Sequence, residues 1–269
     1  MRIGKCKLCL GDSLDLQDSH FLPKGVYRIL RDGGAPNPNP WLISEGQTVQ
    51  ASHQLTAPLF CRDCEQRLSR NGERWVLTNC LKKDGSFPLA AILASRTPDV
   101  SSATDPTRVY WAANVPEVNS QALAYFGASM FWRGSIHPWS QGTVPVELGP
   151  FRESFREYLM GLSDFPNHCA LLVAVREGKA IDRLTHIPVG ERMGLCHIYK
   201  FPMPGLAFSL AVGKNIPAHF RGACFVHMPG NPIIVSPIIE ELLRQDASQV
   251  LQKNYNRRFQ AEPHGKRKR

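Results

Sequence analysis

Two short cysteine pairs constrain this chain more than any other feature: Cys6-Lys-Leu-Cys9 and Cys61-Arg-Asp-Cys64. A Cys-x-x-Cys turn presents two sulfurs at the spacing of a tetrahedral zinc site, and a second pair closes the site with four thiolates. Such a site is structural, because no coordination position is left for water. The alternative is two unrelated pairs of core or redox cysteines. Fifty-one residues separate Cys9 from Cys61, against roughly 12–20 in the usual finger. That insertion is tolerable, since each doubling of a loop costs only about 0.6 kcal/mol, whereas structural zinc supplies on the order of 10 kcal/mol or more. Zinc is expected to hold this excursion, which includes the breaker run Asp32 to Pro40, onto the rest of the module.

The pattern along the chain predicts an α+β protein in two parts. Residues 1–85 form the zinc module, with an extended run over Gly46 to Phe60 and a helix over Cys64 to Leu77. Breaker-rich segments at Lys82 to Pro88 and Thr97 to Pro106 place a boundary near residue 85. Residues 86–269 read as a larger α+β domain with an antiparallel sheet and flanking helices. Helices are expected over Val118 to Trp132 and Phe151 to Leu162, where apolar residues recur at helical spacing. Short apolar runs at Ala170 to Val175, Leu195 to Phe201, Leu206 to Val212 and Ala223 to Val226 read as strands. An amphipathic helix is expected over Pro237 to Tyr255, followed by a mobile basic tail from about residue 257.

Between the cysteine pairs stands Asp18-Ser19-His20-Phe21-Leu22-Pro23. A Cys-x-x-Cys pair, a strand ending in His with a nearby Pro, a second strand, and a Cys-x-x-Cys opening a helix together resemble the HNH, or ββα-metal, endonuclease family in its zinc-stabilised treble-clef form. The layout with Ser-His-x-x-Pro, Glu after the last cysteine and a later Trp-Arg, here Trp132-Arg133, is similar to an uncharacterised bacterial branch of that family. The resemblance covers roughly the first 80 residues. It implies His20 as the general base that takes a proton from the water attacking a phosphodiester of DNA. It also implies a catalytic Mg²⁺ or Mn²⁺ near Ser19, Glu65 and the helix that follows. Ser19 stands where many members have Asp, and Glu65 where many have His. Glu65 keeps an oxygen ligand suited to either ion. Ser69 and Glu73 follow at helical spacing, so Glu65 and Glu73 are the carboxylates expected at the ion. The resemblance further suggests a bacterial defence effector.

Each residue also has a plainer role. His20 serves either as the base or as a turn histidine, and Glu65 and Glu73 either hold an ion or are ordinary helix charges. His53 is read as a strand-surface residue, and Asn71 as part of a helix-end turn. Trp132-Arg133, with His137 and Trp139 nearby, either stacks on bases or packs in a core. Cys80, Cys169, Cys196 and Cys224 lack metal spacing and are expected as buried free thiols. The non-catalytic alternative is a zinc module that binds nucleic acid or protein. Residues 86–269 would then offer a surface to a companion protein. The net charge of +9 includes four basic residues at 266–269, so the body is mildly basic, compatible with nucleic acid without requiring it. No apolar stretch approaches the roughly 20 residues of a membrane span. Met1 to Lys7 carries no signal-peptide pattern, so a cytoplasmic setting is expected.

Overall fold

The structure, a computed structural model, describes residues 2–253 apart from 32–38, 45–46, 51–53, 83, 140–144, 177–183 and six positions between 240 and 250. The chain opens with β1 (Ile3–Gly4), the first cysteine turn and β2 (Leu14–His20). Then come α1 (Lys24–Leu30), the hairpin β3 (Trp41–Ser44) and β4 (Gln47–Gln50), and β5 (Thr56–Cys61). Strands β1, β2 and β5 form a three-stranded antiparallel sheet. The β2–β5 register shifts between Gln17 and Asp18, placing Phe60 opposite Gln17 and Pro58 opposite Asp18. A bulge is where a sheet accepts a residue with no N–H to donate, which accounts for Pro58 inside a strand.

From the end of β5 the chain enters α2 (Arg62–Leu68), with Asp63 and Glu65 in its first turn where the helix dipole favours carboxylates. The expected single helix runs on to Asn79, but not as one α-helix. A π-helical turn, Ser69–Glu73, joins α2 to α3 (Arg74–Asn79). The predicted helix-end turn at Arg70-Asn71-Gly72 is therefore a widened turn inside a continuing helix. Gly72 lies within this turn, where a Cβ would stand 3.0 Å from the backbone nitrogen of Phe126. The crossing helix α5 would meet any side chain there at closer than ordinary contact. Short α4 (Pro88–Ala94) follows, with Pro88 at its first turn.

The second part contains β6 (Val100–Ser101), β7 (Arg108–Trp111), α5 (Ser120–Ile136), α6 (Phe151–Met160), β8 (Cys169–Val175), β9 (Leu184–His186), β10 (Val189–Met193), β11 (Cys196–Met203), β12 (Leu206–Gly213), α7 (Ala218–Gly222) and β13 (Pro232–Val235). Seven strands form one sheet in the order β10-β11-β12-β8-β13-β7-β6. It is mixed rather than wholly antiparallel, because β13 runs parallel to β8. The run Ala223 to Val226 is not a strand. Cys224 and Phe225 are buried as a plug, with the Phe225 N–H donating to the Leu171 carbonyl at 2.7 Å. A turn through Gly230 and Asn231, both at positive φ, then delivers β13. The described residues between 237 and 253 are helical. The tail beyond 253 lies outside the described residues, as does His53.

Helix α5 is the axle of the molecule. Asn119 caps it by accepting from the Ala122 N–H at 2.9 Å, and every residue from Ala122 to Ser135 is buried. A helix buried all round needs partners on all sides. It finds the π turn, α3 and α6, and the sheet strands β8 and β11. Phe60 of β5 stacks on Trp132 of α5 at 5.7 Å, and Phe21 packs on Trp139 at 5.3 Å and on Phe201 of β11 at 6.2 Å. One continuous apolar core thus includes residues from Cys6 to Val235, on both sides of residue 85. Trp132 and Arg133 are each 1% exposed, so Trp132 is a core residue with no face available to a base.

Candidate zinc centre and adjoining carboxylate site

The four cysteines converge from three local elements. Cys6 and Cys9 lie in the turn between β1 and β2, closed by Cys6 N–H to the Gly11 carbonyl at 2.9 Å and by Leu10 N–H to the Cys6 carbonyl at 3.0 Å. The Lys7 N–H ties this turn to the Leu59 carbonyl at 2.9 Å. Cys61 ends β5, and Cys64 sits in the first turn of α2. All four sulfurs lie within 4.8 Å of one another, and Cys9 Sγ is 3.9 Å from Cys61 Sγ. Zinc bonded to sulfur at about 2.3 Å needs tetrahedral edges of about 3.8 Å, so the cluster is consistent with structural zinc. No cysteine forms a disulfide, and Cys80, Cys169, Cys196 and Cys224 are buried free thiols as expected.

The four thiols also act strongly on one another. The Cys64 thiol directed at Cys6 lowers the Cys6 thiol to about 4, helped by the backbone around Cys61, Cys9 and Leu8 and opposed by burial. The Cys61 N–H donates to Cys6 Sγ at 3.4 Å. The same contact with Cys6 pushes Cys64 up, and burial pushes Cys61 up. Arg156 of α6, itself paired with Glu153 at 2.7 Å, donates to the Leu8 carbonyl at 2.8 Å and holds the first cysteine turn from the opposite side.

A second group of polar side chains comes from β2, α2, the π turn and α5. Ser19 is fully buried. Its hydroxyl accepts from the Phe60 N–H at 3.1 Å and donates to the Gln17 carbonyl at 3.3 Å, so it braces the β2–β5 bulge. His20, half-buried, ends β2 opposite Thr56. Glu65 follows Cys64, and its Oε1 is buried without a hydrogen-bond partner. Burial raises the Glu65 carboxyl above its usual range, and Glu73 adds to this; Arg133, the Ser19 hydroxyl and His20 oppose it. Glu73 is paired with Arg133, Oε1 to Nη2 at 2.5 Å, with side chains 16% and 2% exposed. Arg133 Nη1 also donates to the carbonyls of Phe21 at 3.2 Å and His20 at 3.4 Å.

The structure therefore brings Ser19, His20, Glu65 and Glu73 to one place, and adds Arg133 to them. Among the described residues, the four cysteines are the only group of three or more His, Cys, Asp or Glu ligand atoms gathered within 4.8 Å. Sequence reading reached Arg133 only as half of a Trp-Arg pair. The available signal was an arginine inside an otherwise apolar helix, which must find a carboxylate or carbonyls once buried. Among the described residues, no helix is long and apolar enough to cross a membrane. No known protein family, curated protein or solved structure matches the chain.

Proposed function

We propose that this protein is a metal-dependent endonuclease of the HNH type, cutting phosphodiester bonds in DNA with a zinc-stiffened ββα module. The reading rests on one feature, the buried Glu65 Oε1 with no hydrogen-bond partner, in a carboxyl whose electrostatic neighbours include Ser19, His20, Glu73 and Arg133. A desolvated carboxylate oxygen that no protein donor satisfies is a natural ligand for a hard cation. Glu65 would hold a Mg²⁺ or Mn²⁺ ion together with substrate phosphate oxygens, and the ion would supply charge stabilisation at the phosphate. His20 would take the proton from the attacking water. Ser19 would position both, since its two backbone bonds fix the strand end that carries His20. Arg133 would hold the His20 and Phe21 carbonyls from below.

A second reading has its own support. The Arg133 guanidinium already neutralises Glu73 and fills the base of the site with a permanent cation. A module so arranged would bind nucleic acid or a protein without cutting. Supercoiled plasmid incubated with EDTA, Mg²⁺ or Mn²⁺ separates the two readings, using wild type and His20→Ala at equal zinc content and equal melting temperature. Nicking that requires both the ion and His20 is the expected result. Equal products from His20→Ala remove His20 from the mechanism, and salt-sensitive DNA binding without products assigns the binding role.

A further inference from the structure

Far from the zinc centre in sequence, a cavity of about 450 Å³ opens where the start of β8 meets the end of β12. Its floor is apolar. Cys169, Ile216 and Cys224 line it, and Ile216 and Cys224 belong to a second small hydrophobic cluster separate from the main core. Its rim is different in kind. Lys214 follows β12, Arg221 comes from α7, and His168 and His227 flank them, all four exposed. Among the described residues, no carboxylate lines the cavity. Neither Lys214 nor Arg221 forms an ion pair among the described residues.

The two lips are tied together. The Gly213 N–H donates to the His168 carbonyl at 3.4 Å, and His227 Nε2 lies 3.3 Å from the Pro166 carbonyl. Gly213 has φ +144, and a Cβ there would stand 2.3 Å from the Leu195 carbonyl oxygen. The backbone at this mouth is thereby fixed before any ligand arrives.

We infer that this cavity binds a phosphorylated small molecule of mononucleotide size, with its phosphate on the Lys214 and Arg221 rim and its ring over the Cys169–Ile216–Cys224 floor. The volume falls within the roughly 300–1,000 Å³ of small-molecule sites, and an apolar floor with a few convergent polar groups is their usual lining. Two unpaired cations with two imidazoles select for an anion, and arginine in particular offers phosphate a forked set of donors. A carboxylate-free rim adds no repulsion.

Isothermal titration of the full chain with AMP, adenosine and inorganic pyrophosphate tests this, beside a Lys214→Ala/Arg221→Ala variant. Both substituted residues are exposed, so the variant should fold, and its melting temperature checks that. The expected result is saturable AMP binding that weakens at least about 10-fold in the variant and at least about 10-fold for adenosine. No AMP binding at millimolar concentration, equal affinity in the folded variant, or pyrophosphate binding as tightly as AMP would each overturn the assignment. The variant leaves His20 and Glu65 intact, so failure here is distinguishable from failure of the endonuclease reading.

Discussion

Replacing Arg133 with methionine probes the joint between the two halves of the molecule. Methionine keeps the length and apolar stem of the side chain and deletes the guanidinium. The Glu73 carboxylate then loses a partner at 2.5 Å in a site where its own side chain is only 16% exposed. At an effective dielectric constant of 20, unit charges at that distance attract by about 7 kcal/mol. Several kcal/mol of desolvation per ion offset this gain when the pair forms. Removing one partner alone leaves that desolvation uncompensated, and buried pairs broken in this way lose about 3–5 kcal/mol. The carbonyls of His20 and Phe21 lose their donor as well. Against this, Arg133 Nε is already buried without a partner, so its removal relieves a standing cost of about 1–3 kcal/mol. The net expectation for Arg133→Met is a loss of about 3 kcal/mol. Glu73→Gln in the same chain neutralises the stranded charge, and the double variant should recover about 1–2 kcal/mol relative to the sum of the single ones. Urea denaturation with zinc in excess, followed by tryptophan fluorescence, measures both quantities. A single variant within about 1 kcal/mol of wild type, or strict additivity, would refute the view that this pair is buried and coupled.

The zinc assignment predicts one zinc per chain by elemental analysis, falling to none in Cys64→Ser with a fall in melting temperature; retention of stoichiometric zinc would reject the four-cysteine site. Gly213→Ala should destabilise by more than about 2 kcal/mol, since it combines φ +144 with a 2.3 Å approach to a carbonyl oxygen. A change in urea midpoint worth less than about 0.5 kcal/mol would show that the backbone there relaxes freely.

The sequence was most legible where chemistry repeats at fixed spacing. Two Cys-x-x-Cys pairs admit few arrangements, and they converge as expected. Helices α5 and α6 begin within two residues of their expected starts, because long apolar periodicity and caps are local signals. Strands β8, β11 and β12 were readable for the same reason. Ala223 to Val226 misled because a short apolar run reports burial and not geometry. Cys224 and Phe225 are buried as a plug, while β13 pairs in parallel with β8, a partner far away in sequence. The π turn leaves no local signal in the sequence, and the approach of Phe126 to Gly72 within it joins residues that only the tertiary fold brings together. Arg133 had a signal, an ionisable residue within an apolar helix, but its partner Glu73 could be named only by packing.

With zinc at the four cysteines, the 51-residue excursion between the pairs would be held by more than the metal. Helix α1 buries Val26, Tyr27 and Leu30, so the stretch after His20 has its own apolar anchor in the common core. Further along, β3 pairs in parallel with β9, bringing Trp41 to Leu184 and Ile43 to His186. The excursion is thus fastened at the cysteines, at α1 and on a strand from the far half of the chain. A loop closed at several points no longer depends on one clip, because the closure entropy is shared among shorter segments. Loss of zinc should therefore act first on the segment with fewest other attachments, the turn from Cys6 to Cys9. That turn is held otherwise by the Lys7–Leu59 backbone bond, by Arg156 on the Leu8 carbonyl, by the Cys61 N–H on Cys6 Sγ and by the buried Leu8 side chain. Amide hydrogen exchange after chelation should show this turn and β1 losing protection before α1, and simultaneous loss across residues 3–30 would mean that zinc alone carries the module.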